Sequence, residues 1–254
     1  MLLAIDVGNT NTVIGLFEGA KMVTSWRLTT SLQQTVDEYG ILFRNLFEPS
    51  GHTAGQVNRI ILSCVVPTLQ DTLHRMCEAY FKITPLHVGP GIKTGVELKV
   101  DNPKEVGADR IVNSVAAFHY YGGPAISVDF GTATTFDPIS ETGAFLGGAI
   151  APGLSISAEA LYSRTAKLPK VEIRKPDRII GKNTIDNIQI GLYYGYLGLI
   201  EGILRPMIAA VGGKPQVIAT GGLGKIFSEG CELIQHYDPH LTLKGLYLLD
   251  HKNR

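Results

Sequence analysis

The chain of 254 residues holds three cysteines, Cys64, Cys77 and Cys231, and none of them forms a C-x-x-C pair. An odd, scattered set argues against a disulfide framework and against a cysteine zinc site, and fits reduced thiols. Charge of one sign is missing too: 23 Lys and Arg balance 23 Asp and Glu. A general nucleic-acid binder carries a basic excess, so nucleic acid is not an expected partner. No apolar run is long enough to span a bilayer. The most apolar stretch, residues 190–200, is followed at once by Glu201 and reads as a buried helix. The amino terminus reaches Asp6 too soon for the apolar region of a signal peptide, so a cytoplasmic location is expected. The seven histidines stand at no metal-ligand spacing with a cysteine or with each other.

Hydrophobic residues make up 44% and charged residues 18%, a balance that fills a core and excludes wholesale disorder. The main organising feature is an internal echo. Leu3-Ala4-Ile5-Asp6-Val7-Gly8-Asn9-Thr10-Asn11-Thr12 near the start matches Ile126-Ser127-Val128-Asp129-Phe130-Gly131-Thr132-Ala133-Thr134-Thr135 past the midpoint. Each reads as an apolar strand, then Asp-apolar-Gly, then small hydroxyl and amide residues leading into a second strand, which predicts two hairpins with polar first turns.

Such a turn suits phosphate. Gly8 and Gly131 are expected to supply positive φ and close backbone approach. Asn9, Thr10, Thr132 and Thr134 offer side-chain donors, and the N–H groups of the turn can form an anion nest. Asp6 and Asp129, at strand ends, can hold a cation or its water shell. One such turn is usually a plain hairpin, but one in each half of the chain is not easily dismissed. The standard phosphate motifs are absent. Gly181-Lys182-Asn183-Thr184 has Pro176 where a P-loop needs its first glycine, and Gly222-Leu223-Gly224 has Phe227 where a dinucleotide fingerprint needs its third.

The remaining pattern alternates strands and helices, an α/β signature. Strands are expected at residues 22–28, 59–66, 85–88, 145–150 and 215–220. Helices are expected at residues 37–47, 68–81 (capped by Thr68), 108–121, 154–167, 183–211, 225–236 and 242–250, with a charged loop over 169–178. Gly122-Gly123-Pro124 marks a boundary between halves at residues 1–122 and 123–254, with ATP expected in the cleft between them. Gly221-Gly222-Leu223-Gly224, after a strand and before a helix, suits close packing on an adenosine.

Together these residues resemble the actin/sugar-kinase/Hsp70 ATPase plan, with two similar ribonuclease H-like halves. Within that plan the chain is similar to the type III pantothenate kinases. The likeness rests on Asp6 through Thr12, on Asn102-Pro103-Lys104-Glu105-Val106-Gly107-Ala108-Asp109-Arg110, on Val128-Asp129-Phe130-Gly131-Thr132-Ala133-Thr134-Thr135, on Gly147-Gly148-Ala149-Ile150-Ala151-Pro152-Gly153 and on Thr220-Gly221-Gly222. The resemblance implies ATP-dependent phosphorylation of pantothenate to 4′-phosphopantothenate, the first step towards coenzyme A. It implies that Asp109 is the general base and that Gly107, Ala108, Asp109 and Arg110 line the pantothenate pocket. It gives the first phosphate loop to Asp6, Val7, Gly8, Asn9, Thr10, Asn11, Thr12 and Val13, an ATP contact to Thr132 and a pantothenate contact to Thr184. It implies a potassium or ammonium ion on Asp129, Mg²⁺ with the nucleotide, and a homodimer through the second half, where Tyr193, Tyr194 and Tyr196 are core or interface. The chain departs from the family at Val100, in the pantothenate pocket, where many members carry an aromatic residue.

Two rivals compete with this reading. A sugar kinase or polyphosphate phosphatase on the same plan would lack Gly107-Ala108-Asp109-Arg110 in this setting. A transcriptional accessory relative would be expected to have lost one of Asp6, Asp109, Asp129 or Thr132, and all four are present.

Overall fold

The computed structural model describes residues 1–254. In β1 (Leu2–Val7), Leu2, Leu3, Ala4 and Ile5 are fully buried, as befits a central strand covered on both faces. Strand β2 (Asn11–Glu18) runs back along it, and β3 (Lys21–Thr29) follows antiparallel to β2. Helix α1 (Val36–Asn45) starts at a capping box, Thr35 with Glu38, and leads to β4 (Arg59–Cys64), parallel to β1. Helix α2 (Pro67–Met76) and a π-helical turn (Cys77–Phe81) precede the short strand β5 (Leu86–His87). Helix α3 (Ala108–Tyr121) leads to β6 (Ala125–Phe130), β7 (Ala133–Ile139) and β8 (Ala149–Pro152). Then come α4 (Leu154–Ser163), the 28-residue α5 (Thr184–Val211), β9 (Gln216–Gly221), α6 (Gly224–Ser228), β10 (His236–Tyr237) and α7 (Leu241–Lys252).

The internal echo extends to whole sheets. The first has strand order β3-β2-β1-β4-β5 and the second β8-β7-β6-β9-β10. Directions match strand for strand: β1 and β6 are antiparallel to β2 and β7, and parallel to β4 and β9. The outer pairs agree as well, β2 with β3 and β7 with β8 antiparallel, β4 with β5 and β9 with β10 parallel.

The chain forms two units whose limits differ from a single division after residue 122. One comprises Met1–Gly95, Asn102–Ala116 and Leu241–Arg254; the other comprises Val96–Asp101 and Ala117–His240. The carboxy-terminal helix belongs to the first unit because of its apolar face. Leu243, Leu246 and Leu249 of α7 bury with Leu2, Ala4, Phe17 and Ile61 of the first sheet and with Val112 of α3. Tyr247 stacks on Phe17 at 5.2 Å, and Asp250 pairs with Arg59. The opposite face of that sheet buries against Tyr39, Phe43, Leu69, Leu73 and Met76 of α1 and α2. In the second unit, Ile126, Val128, Phe136 and Val217 of the sheet bury with Tyr193, Tyr196 and Ile200 of α5 and with Phe227 of α6.

Several local expectations needed correction. Val66, not Thr68, is the residue before α2, and Pro67 fills the first helical position, where no N–H is needed. The strand expected over 145–150 begins only at Ala149, because Gly147 (φ 100°) and Gly148 (φ 155°) interrupt it after isolated bridges at Phe145. Helix α4 stops at Ser163, where Ser163 and Thr165 hydroxyls donate to the carbonyls of Ala160 and Leu161. The helix expected over 225–236 has only five residues, and the chain turns to pair β10 with β9 instead.

Gly245 brings α7 against α3: a Cβ there would lie 2.3 Å from the Val112 carbonyl oxygen. Gly245→Ala is therefore expected to destabilise the protein by about 1–3 kcal/mol in urea denaturation. An unchanged midpoint would mean that α7 packs loosely.

Candidate active site

The β1–β2 register ends at Val7 opposite Thr12, which leaves Gly8, Asn9, Thr10 and Asn11 as the first turn. The Gly8 N–H donates to the Asn11 carbonyl at 3.0 Å. Neither Gly8 nor Gly131 has a positive φ, so the expected conformational reason for glycine is corrected to a steric one. A Cβ on Gly8 would stand 3.1 Å from the Asn11 oxygen that closes the turn, and one on Gly131 would stand 3.3 Å from that of Ala133. Asn9 and Thr10 are exposed, while Thr12 is fully buried.

A residue that sequence reasoning missed holds this turn. The Thr30 hydroxyl donates to the Gly8 carbonyl at 2.7 Å and meets the Thr12 hydroxyl at 3.0 Å, while the Thr30 N–H donates to the Thr10 carbonyl at 2.9 Å. Only the β2–β3 register brings it there. Asp6 stands near the end of β1, opposite Val13 on one side and Ser63 on the other.

Asp109 lies in the first turn of α3, after a short 3₁₀ turn (Pro103–Glu105) capped by the Asn102 side chain. Its carboxylate folds back on the chain, and Oδ1 accepts the Arg110 backbone N–H at 2.8 Å. Gly107 makes this possible, since a Cβ there would lie 2.6 Å from that oxygen. Burial pushes the Asp109 carboxyl above the usual carboxylate range, against the opposing pull of the Arg110 N–H and charge. It is thus a stronger base than a solvated aspartate, held in one orientation.

In the second unit, Phe130 pairs with Thr134, and the turn is Gly131, Thr132 and Ala133, one residue shorter than the first. Two glycines from distant segments press on it. The Gly153 N–H donates to the Thr132 carbonyl at 3.1 Å, and a Cβ on Gly153 would fall 2.2 Å from that oxygen. Gly221 (φ 85°) would place a Cβ 2.6 Å from Asp129 Oδ1. The Tyr196 hydroxyl, expected as core or interface, also meets the Thr134 hydroxyl at 2.5 Å and donates to the Pro152 carbonyl at 3.1 Å.

Asp129 stands between Thr135 on β7 and Thr220 on β9. This all-oxygen surrounding fits a hard cation and does not fit a soft transition metal. The three cysteines are free, and burial pushes the Cys77 thiol up to about 12, so none is poised as a nucleophile.

Thr184 opens α5 next to its cap, Asn183, and lines a cavity of about 560 Å³ with Ser157 and Leu161 of α4 and Asn187 of α5. Val100 follows a segment in which Lys99 donates to the Phe145 carbonyl at 2.9 Å, and it sits beside Gly147. Asp6 to Val13 and Gly107 to Arg110 belong to the first unit, and Val100, Asp129, Thr132 and Thr184 to the second.

A family model described as type III pantothenate kinase matches residues 2–206. The type III pantothenate kinase of Koribacter versatilis (strain Ellin345) is 52% identical over 264 residues, covering 100% of this chain and 96% of that protein. That of Bacillus cytotoxicus is 54% identical over 253 residues, covering 100% and 97%. Among solved structures, the activator of the 2-hydroxyisocaproyl-CoA dehydratase from Clostridium difficile, with bound ADPNP, aligns with a TM-score of 0.54 at 10% identity, over 99% of this chain and 95% of that one. The ethanolamine utilization protein EutJ from Carboxydothermus hydrogenoformans gives 0.59 at 15% identity, over 97% and 89%. At such identities these two share the fold alone.

Gly107→Ala is expected to push the Asp109 carboxylate out of place and lower turnover by about ten- to a hundredfold, with nucleotide affinity unchanged in calorimetry. Normal turnover in that variant would show that the carboxylate position does not matter.

Proposed function

The chain belongs to the type III pantothenate kinase family, and from that premise we propose how its own residues carry out the reaction. The family's reaction transfers the γ-phosphoryl group of ATP to pantothenate, giving ADP and 4′-phosphopantothenate, in coenzyme A biosynthesis.

Asp109 carries the proposal. It is partly buried, held back by the Arg110 N–H, and basic beyond the ordinary aspartate. It accepts the proton of the primary hydroxyl of pantothenate as that oxygen bonds to the γ-phosphorus and the bond to ADP breaks. In this reading Gly107, Ala108 and Arg110 contact pantothenate, and a pantothenate contact is assigned to each of Val100 and Thr184. Val100 has no phenolic hydroxyl, so at that position it contributes apolar contact alone. Residues 6–13 form the first phosphate loop, with the exposed Asn9 and Thr10 side chains as donors, and Thr132 contacts ATP. Mg²⁺ with the nucleotide and a potassium or ammonium ion on Asp129 supply positive charge against the transferring group. In this proposal the reaction takes place in the cytoplasm. No helix is long and apolar enough to cross a membrane.

We further propose a homodimer through α5. Gly191, Gly195, Gly198 and Gly202 share one helical face, and a Cβ added at any of them would meet nothing within 4 Å. Each costs about 1 kcal/mol of helix propensity relative to alanine, which close approach of a second α5 would offset. Ile185 and Tyr194 of α5 and Ile156 and Leu161 of α4 are exposed as well.

Asp109→Asn keeps the shape and loses the proton acceptor, so turnover should fall by about 10²- to 10⁴-fold with ATP affinity retained. In the wild type, turnover should fall as pH drops through the raised Asp109 pKa, which places the acid limb above the ~3.9 of a free aspartate. Near-normal turnover in the variant would remove Asp109 from the role of base. For the dimer, Gly195→Leu should give a folded monomer in analytical ultracentrifugation. A dimer of unchanged affinity would exclude the α5 contact.

A further inference from the structure

Thr30 stands just past the end of β3 and outside the loop of residues 6–13, yet its hydroxyl and its N–H both bond into that loop. The hydroxyl has one proton, and the 2.7 Å contact gives it to the Gly8 carbonyl. The proton in the 3.0 Å contact between the two threonine hydroxyls therefore belongs to Thr12, which is fully buried. The Thr30 N–H reaches the Thr10 carbonyl at 2.9 Å. The peptide unit before Asn9 and the peptide unit after Thr10 are thus tied to one residue. Asn9 and Thr10, both exposed, are held between those ties.

Thr30 is itself held from the core. Tyr39 of α1, 1% exposed, donates its hydroxyl to the Ser31 carbonyl at 2.8 Å and accepts the Ser31 N–H at 3.3 Å. The ring of Tyr39 stands edge-on to Phe43 of the same helix, and the capping box of Thr35 and Glu38 fixes the helix start. Hydrogen bonds therefore run from a buried helix side chain to Ser31, and from its neighbour Thr30 to the turn. An untied peptide unit in so short a turn can swing its carbonyl oxygen towards a bound polyphosphate, which repels it. Phosphoryl transfer depends mainly on positioning, so a turn fixed before ATP arrives serves it better than one that must be ordered by ATP.

We propose that Thr30 is a positioning residue of the kinase reaction. Its hydroxyl fixes the Gly8 carbonyl and Thr12, and so presets Asn9 and Thr10 for the triphosphate of ATP, while Tyr39 holds Thr30 through Ser31. It acts through the loop and not on either substrate. The proposal rests on the reading of residues 6–13 as the first phosphate loop.

Steady-state ADP release, with ATP and pantothenate varied in turn, tests it. Thr30→Val keeps the shape and the backbone N–H and loses both hydroxyl contacts. Its kcat/KM for ATP should fall about tenfold or more, while KM for pantothenate stays within about twofold of the wild type. Thr30→Ser keeps the hydroxyl, and its kcat/KM for ATP should stay within about threefold of the wild type. A purely structural Thr30 would lower Tm in Thr30→Val and leave kcat/KM for ATP in place, which overturns the proposal. A Thr30→Ser variant as impaired as Thr30→Val overturns it too, as does a KM for pantothenate that rises in step. The loop itself is checked by a double variant, Asn9→Ala with Thr10→Ala. An unchanged kcat/KM for ATP there overturns both the loop reading and the proposal, whereas a fall there beside a normal Thr30→Val overturns the proposal alone. Should Thr30→Val not fold, Tyr39→Phe decides, since it releases Ser31 with little change in volume. A lowered kcat/KM for ATP with KM for pantothenate unchanged supports the tie, and wild-type values overturn it.

Discussion

The hairpin turn after a central strand, pressed by glycines where no Cβ fits, is the constraint on which the rest of the second unit depends. The Thr132 carbonyl takes the Gly153 N–H, and Gly221 lies against Asp129. Gly153 is the residue before α4, and Gly221 ends β9, which leads into α6. One small volume therefore fixes the hairpin turn, the start of one helix and the end of the neighbouring strand. The first unit solves the same problem with hydroxyls, through Thr30 and Thr12 closing on Gly8. Two sheets of the same order and direction thus carry turns of different length and different bracing.

Asp109 shows the same economy in the first unit. A missing side chain at Gly107 gives its carboxylate room to fold back, the next backbone N–H fixes it, and burial raises its basicity. Orientation follows from consecutive residues at the start of a helix, while the raised pKa follows from the burial that the fold imposes on them. Phosphoryl transfer asks for little covalent chemistry from the protein, so a fixed base and fixed backbone donors account for much of what such an enzyme must provide.

Much of this was legible in the chain because its signals are local. Asp6-Val7-Gly8 and Asp129-Phe130-Gly131 announced two hairpins, Asn183 announced the start of α5, and both sheets contain the apolar runs expected of them. What stayed hidden depends on contacts between distant segments. Thr30 became a turn clamp only through the β2–β3 register, and Tyr196 became one only through the packing of α5 on β7. The apolar face of α7 gave no sign that it covers the first sheet, 240 residues earlier in the chain. The segment over 225–236 carried a helical pattern that strand pairing overrode. Gly8 and Gly131 were expected to need positive φ and have none, since φ is not visible in a residue name.

The most direct measurement is coupled ADP release by the purified protein supplied with ATP, Mg²⁺ and pantothenate, in potassium buffer and in sodium buffer. ADP release that requires pantothenate is the expected result, with potassium supporting it and sodium failing to. A well-folded protein that releases no ADP with both substrates in either buffer, or releases it at the same rate without pantothenate, would contradict pantothenate phosphorylation by this chain.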